Sequence, residues 1–233
     1  MDMTSTENVP VVLIHGWGSS FRETWQRPGI DALLADVGRV PIGIDLLGHG
    51  EQEKPHDPEA YIELPSWLLE HLPDEPVVDA VGFSLGALTL LRALIAAPHR
   101  FGKVVLSGIG DGVFTVSPPD AHKRIVDALE GRAPETDTFA RMFAHYGNSA
   151  GNDLLALTAI MKRPASPPVT EEQLSAITNE ILVVIGDADF AGPATRLAAA
   201  FPNAKLTVLR NTDHFATPEN FSFIDALLDF LAA

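Results

Sequence analysis

The stretch DAVGFSLGALTLLRALI, Asp79 to Ile95, decides the fold. It sets a lone serine, Ser84, between two glycines where an apolar strand runs into an apolar helix. Gly82-Phe83-Ser84-Leu85-Gly86 fits G-x-S-x-G, a tight strand-to-helix turn that strains the serine backbone and presents its hydroxyl at the carboxyl edge of a sheet. The glycines are needed because the turn leaves no room for a Cβ beside it. An N-cap serine or a chance match would give the same five letters. A buried strand before and a helix of small and apolar residues after are the context a nucleophile requires, so Ser84 is the candidate nucleophile.

The strand pattern recurs on both sides of this turn. VPVVLIHG (Val9–Gly16), RVPIGID (Arg39–Asp45), PVVDAVGF (Pro76–Phe83), KVVLSGI (Lys103–Ile109), EILVVIG (Glu180–Gly186) and AKLTVL (Ala204–Leu209) read as strands, several of them buried on both faces. Helical patterns lie between them, at about Pro28–Asp36, Pro65–Leu72, Leu85–Ala96 and Pro193–Ala200. A last one runs over Pro218–Leu231, with Thr217 as N-cap and Pro218 at the first helical position. Such alternation predicts an α/β fold, a mainly parallel sheet of about six strands with helices on both faces. From about Asp111 to Ala176 no strand pattern appears, while DAHKRIVDALE, ETDTFARMFAHY and GNDLLALTAIM all look helical. The expected organisation is a core of residues 1–110 and 177–233, with a small helical cap, 111–176, inserted after the strand ending near Ile109. The proline-rich KRPASPPVT (Lys162–Thr170) is its return hinge.

Composition narrows the partners. With 233 residues, 46% of them hydrophobic, the chain can bury one sizeable core. A formal net charge of −15 repels polyphosphate and anionic membranes, so no nucleic acid is expected as partner. Residues 112–169 are neutral, with six basic and six acidic side chains, so the excess lies outside them. No apolar run reaches the roughly 20 residues of a membrane span, and the polar start MDMTSTENVP lacks the pattern of a signal peptide, so a cytoplasmic location is expected. Cysteine is absent, which removes disulfides and thiolate metal sites.

A serine hydroxyl becomes a nucleophile when a neighbouring base takes its proton, and that base needs an orienting group. RNTDHFATPEN places His214 in a loop after the final strand, at the same sheet edge. For the orienting acid, IGDADF offers Asp187 and Asp189, and SGIGDG offers Asp111. Asp187 directly follows the strand-end glycine and suits a turn. Asp189 reaches further toward the histidine loop and is preferred, with the other two left open. An oxyanion needs donors, expected from the backbone N–H of Leu85 and, in HGWGSS, of Trp17. His15, Asp45 and His49 read as structural loop residues.

Ser84, Asp189 and His214, in that chain order, with HGWG ahead and DLLGHG between, resemble the α/β-hydrolase fold superfamily over nearly the whole chain. The resemblance implies a Ser–His–Asp hydrolase without cofactor or metal, acting on a small-molecule ester or related acyl compound through a covalent acyl-enzyme, with a helical cap at this place. Most members begin with an antiparallel strand pair, whereas eight residues precede Val9, so a reduced sheet is expected. Dehalogenases and epoxide hydrolases of the fold use an aspartate nucleophile, where this chain has Ser84. Perhydrolases usually carry methionine where Leu85 stands, and carbon–carbon hydrolases tryptophan where Phe215 stands. What the resemblance best implies is a carboxylesterase for short to medium acyl chains, with a pocket lined by Phe114, Met142, Phe143, Leu154, Met161, Phe190 and Phe215. Rival readings are an esterase for carrier-protein or thioester-linked acyl groups, an acyltransferase or carbon–carbon hydrolase on the same residues, and a non-catalytic ligand-binding relative. Oligomeric state is not legible.

Overall fold

The computed structural model describes residues 9–116, 119–149 and 151–232. Strands β1 (Pro10–Ile14), β2 (Val40–Ile44), β3 (Val78–Phe83), β4 (Phe101–Ser107), β5 (Ile181–Gly186) and β6 (Ala204–Leu209) form one sheet in the order β2-β1-β3-β4-β5-β6. Every neighbouring pair is parallel. The continuous apolar runs follow from burial on two sides: Val12 and Ile14 enter one core while Val11 and Leu13 enter the other.

The helices are α1 (Ile30–Asp36), α2 (Leu64–Glu70), α3 (Leu85–Ala96), α4 (Pro119–Leu129), α5 (Thr138–Gly147), α6 (Leu154–Lys162), α7 (Glu171–Ser175), α8 (Thr195–Ala199) and α9 (Phe221–Ala232). On one face α1 and α9 bury Ile30, Leu34, Phe223 and Leu227. On the other, α2, α3 and α8 bury Leu68, Leu90, Leu94 and Leu197. Between β4 and β5 lie only helices and turns among the described residues, α4 to α7 with a 3₁₀ turn at Asp111–Phe114. The indole N–H of Trp17, just after β1, donates to Leu157 O of α6 at 3.2 Å, tying this segment to the sheet edge.

Two helical expectations change. The last helix does not start at Pro218: Thr217–Glu219 form a separate 3₁₀ turn, and Asn220 stands extended behind it. The Asn220 carboxamide oxygen accepts from Ser222 N at 2.8 Å and Phe223 N at 3.3 Å, so Asn220 caps the helix in place of Thr217. The return segment also forms α7, where Thr170 and Gln173 exchange side-chain and backbone hydrogen bonds in a capping box.

One buried ion pair joins strands, edge and terminal helix. Arg39, ahead of β2, bonds the Asp79 carboxylate in β3 and the Leu231 carbonyl in α9, and donates to Val9 O at 3.0 Å. Asp79 also accepts from Lys103 N in β4 at 2.6 Å. Both side chains are buried, so removing one leaves the other charge without compensation. Asp79→Ala is therefore expected to lower the unfolding free energy by about 3–5 kcal/mol, read from urea midpoints at neutral pH. A loss below about 1 kcal/mol would mean that the pair behaves as an exposed one.

Candidate active site

Ser84 sits where β3 ends and α3 begins, with φ 53° and ψ −114°. It occupies the N-cap position of α3, yet its side chain makes no capping hydrogen bond. Its N–H instead donates to Ser107 O at 2.8 Å, continuing the pairing of β3 with β4. The turn is closed by contact on both sides. A Cβ on Gly82 would stand 2.7 Å from Ala87 Cα, and one on Gly86 would stand 2.5 Å from the carbonyl oxygens of Ile14 and His15.

The freed hydroxyl points at the loop after β6. Ser84 Oγ lies 2.8 Å from His214 Nε2, and His214 Nδ1 lies 2.9 Å from both Asp189 carboxylate oxygens. A carboxylate only accepts, so Nδ1 carries the proton and Nε2 is left to accept from the serine O–H. Asp189 is held in turn by the Ala191 N–H at 2.8 Å. The other two acids are engaged elsewhere: Asp187 accepts from Thr212 N at 3.2 Å, and Asp111 from Leu197 N at 2.9 Å. The imidazole is buried between aromatic rings, Phe190 at 4.3 Å and Phe83 at 5.0 Å between centroids.

Leu85 N–H, at the start of α3, and Trp17 N–H, in the loop after β1, donate to no backbone or side-chain acceptor among the described residues. A cavity of about 410 Å³ opens over Ser84 and His214. Phe190 lines it, as does Leu85, whereas Phe114, Met142, Phe143, Leu154, Met161 and Phe215 do not. Phe143 and Phe215 belong to an aromatic cluster with Phe139, Tyr146 and Phe190, beside the histidine. Met161 lines a second cavity, Met142 is exposed, and Phe114 lies under the Arg196 guanidinium at 4.2 Å. An apolar helix face reports burial but not what it is buried against, so the sequence reading places on the wall side chains that pack on one another. It passes over Tyr61, Arg92 and Arg163, which do line the cavity. For Arg92 a signal existed, since Leu85, Leu88, Thr89 and Arg92 fall at helical spacing on one face of α3. No three His, Asp or Glu side chains converge as a metal site among the described residues. None of their helices is long and apolar enough to cross a membrane.

A strained serine at a strand-to-helix turn, bonded to a loop histidine over a parallel sheet, defines a hydrolase-type α/β protein. The chain belongs to the alpha/beta hydrolase family, whose sequence profile matches residues 11–222. It is 27% identical, over 252 aligned positions covering 95% of this chain and 86% of the relative, to a 2-hydroxy-6-oxononadienedioate/2-hydroxy-6-oxononatrienedioate hydrolase of Cupriavidus pinatubonensis. Among solved structures it resembles an esterase from Exiguobacterium antarcticum, with a TM-score of 0.77 and 19% identity over 97% of this chain and 92% of that one. An enol-lactonase from Burkholderia xenovorans gives a TM-score of 0.75 and 20% identity at the same two coverages. At such identities the two structures attest the fold alone.

Beneath the site, His15 and His49 pack edge to face with centroids 5.0 Å apart. His15 Nδ1 donates to Gly16 O at 2.7 Å and Nε2 accepts from Leu46 N at 3.0 Å, a pattern only the neutral ring can make. Asp45 serves the same loops, accepting from Phe21 N at 2.6 Å and Glu51 N at 3.0 Å. Burial lowers the pKa of His15, and burial with the neighbouring His15 lowers that of His49 well below the ordinary 6.5. Below pH 6.5 the unfolded chain binds protons that the folded one refuses, so stability is full above that value and falls as pH drops. His49→Gln is therefore expected to flatten the decline in unfolding free energy between pH 7.5 and 5.5 by about 1 kcal/mol. Urea melts at the two pH values measure this, and an unchanged slope would mean that His49 titrates normally in the fold.

Proposed function

We propose that the chain is a serine hydrolase of carboxylic esters, working through a Ser84–His214–Asp189 triad and a covalent acyl-enzyme. The observation that carries this reading is the unbroken hydrogen-bonded path from the Asp189 carboxylate through His214 to a Ser84 hydroxyl released from helix capping. His214 takes the Ser84 proton as Oγ attacks the ester carbonyl carbon. Negative charge moves to the carbonyl oxygen, where the N–H groups of Trp17 and Leu85 receive it. Asp189 stays ionised and fixes the imidazole. His214 then gives its proton to the departing alcohol, and a water molecule, deprotonated in the same way, releases the acid and restores Ser84.

The helices of segment 111–176 act as a cap over this edge, and the protein works without cofactor on a small-molecule ester in the cytoplasm. A cavity of about 410 Å³ fits a short to medium acyl chain. The likeness to a dienedioate hydrolase favours a second reading, cleavage of a carbon–carbon bond on the same residues. Phe215, where such enzymes commonly carry tryptophan, weighs for the ester.

Release of nitrophenol from p-nitrophenyl esters of increasing acyl length tests the proposal. Ser84→Ala is expected to lower kcat by about 10⁴–10⁶-fold with an unchanged thermal midpoint. Turnover retained in that variant overturns the mechanism. Cleavage of a dienedioate without cleavage of any ester selects the second reading.

A further inference from the structure

Among the described residues, the cavity above Ser84 is lined by Arg92, Arg163 and His122, and by no aspartate or glutamate. This is unexpected in a chain with 31 acidic residues against 16 lysines and arginines. Neighbouring cations of the inserted segment are matched: Arg124 pairs with Asp137, Arg132 with Asp127 and Glu130, and Lys162 with Glu130. Arg92 and Arg163 have no carboxylate within ion-pair distance among the described residues. Arg92 donates to Pro167 O at 2.7 Å and Arg163 to Ile160 O at 2.6 Å, which leaves most of their N–H groups free. Adjacent residues Lys162 and Arg163 thus divide: the first pairs outward with Glu130, and the second turns to the cavity.

We propose that Arg92 and Arg163 form a carboxylate-binding subsite, so that the substrates are esters carrying an acid group remote from the bond that is cleaved. The inference rests on the ester-hydrolase reading for the bond, but the subsite itself is a binding feature. Leu85, Leu88, Thr89 and Arg92 form one cavity-facing stripe of α3, which starts beside the nucleophile. From Ser84 to Arg92 the helix rises about 12 Å, and side chains lean toward the helix N-terminus. The guanidinium therefore reaches back along the stripe toward Ser84, leaving a spacer of several methylenes between the reacting carbonyl and the acid. Burial and the facing Arg92 charge push Arg163 down to about 10, and burial lowers Arg92. Both remain charged at neutral pH. Their mutual repulsion is the strain that an anion between them relieves, and Arg is suited to bind it in bidentate fashion. A second cavity, sharing His122, Arg163 and Ala165 with the first, adds Lys123 and Lys162, whose charges are met outside it by Asp127 and Glu130, so that Arg163 is the unpaired cation the two cavities share among the described residues.

The kinetic test compares the p-nitrophenyl monoesters of glutaric and adipic acid with the p-nitrophenyl esters of butyric and pentanoic acid. In the native protein the acid-terminated esters are expected to show a kcat/KM about tenfold or more higher. In Arg163→Gln and in Arg92→Gln this ratio is expected to fall by about tenfold, through KM of the charged ester, and Arg163→Lys is expected to restore part of it. Pairing 4-acetoxybutanoate with butyl acetate asks whether the acid belongs to the leaving alcohol. Preference there and not in the first pair keeps the subsite and reverses the substrate's direction. A native preference for neutral esters in both pairs, or a ratio unmoved by both substitutions, overturns the proposal. Calorimetric binding of monomethyl glutarate and of methyl pentanoate to Ser84→Ala separates the two claims, because it needs no turnover. Arginine-dependent binding of the acid without hydrolysis of any ester would retain the subsite and refute the esterase reading. Ester hydrolysis with no charge preference in rate or binding would do the reverse.

Discussion

The carboxyl edge of the sheet is organised by the backbone of Ser84, whose φ of 53° few side chains adopt. Such a conformation costs about 1–3 kcal/mol and persists only where the surroundings impose it. Here they do so through the Ser84 N–H to Ser107 O bond and the contacts that admit only glycine at 82 and 86. An unstrained N-cap serine would fold its oxygen back onto the first helical N–H groups and saturate itself. Tilting the residue out of that geometry has two effects at once. The hydroxyl becomes available to His214, and the Leu85 N–H stays without an acceptor among the described residues. A hydroxyl bonded to histidine and an unpaired N–H thus arise from one backbone distortion.

The net charge of −15 describes the outer surface and not the cavity. Among residues 112–169 the acids and bases balance, and four of the six cations pair with carboxylates on the surface, through Asp127, Glu130 and Asp137. Arg141 donates to a backbone carbonyl, Glu135 O, whereas Arg163 turns to the cavity, where Arg92 of α3 lines the same wall. Surface pairing of the neighbours sharpens the effect, since neutralised cations on the outside do not compete for an anion within. A total charge that repels polyanionic macromolecules is therefore compatible with a small acid, whose encounter depends on the local field of the opening.

The strands could be read from the sequence because a parallel sheet buried on both faces leaves continuous β-branched runs, as in Val11–Ile14 and Ile181–Ile185. Ser84, His214 and Asp189 were legible because each lies at a strand end, where topology alone brings them to one edge, and in the structure they meet. The start of α9 was not, because Thr217-Pro218 is an acceptable helix opening in isolation, and only the Asn220 side chain, three residues on, decides against it. Nor was the cavity wall. Phe143, Phe215 and Phe190 look alike in sequence, yet Phe190 faces the opening and the other two close the aromatic cluster behind His214. What separates them is the path of the loop after β5 against α5, a tertiary fact without local signature.

Segment 111–176 and the sheet edge are joined by few but directional contacts, and their placement bears on how the site works. Trp17 N–H belongs to the same loop whose indole holds Leu157 and whose Gly18 carbonyl accepts from Asn152 at 2.8 Å. The Trp17 loop is thereby held by the inserted segment and not by the sheet alone. Arg92 is carried by α3, the helix that also carries Leu85, and its guanidinium donates to Pro167 O of the segment at 2.7 Å. Two of the groups that would contact a bound substrate, Leu85 N–H and Arg92, thus have their backbones spaced by one helix. The other two, Trp17 N–H and Arg163, lie where the segment contacts the sheet edge or on the segment itself. One pair is thus placed by a single helix, and the other by the contacts between the segment and the loop after β1.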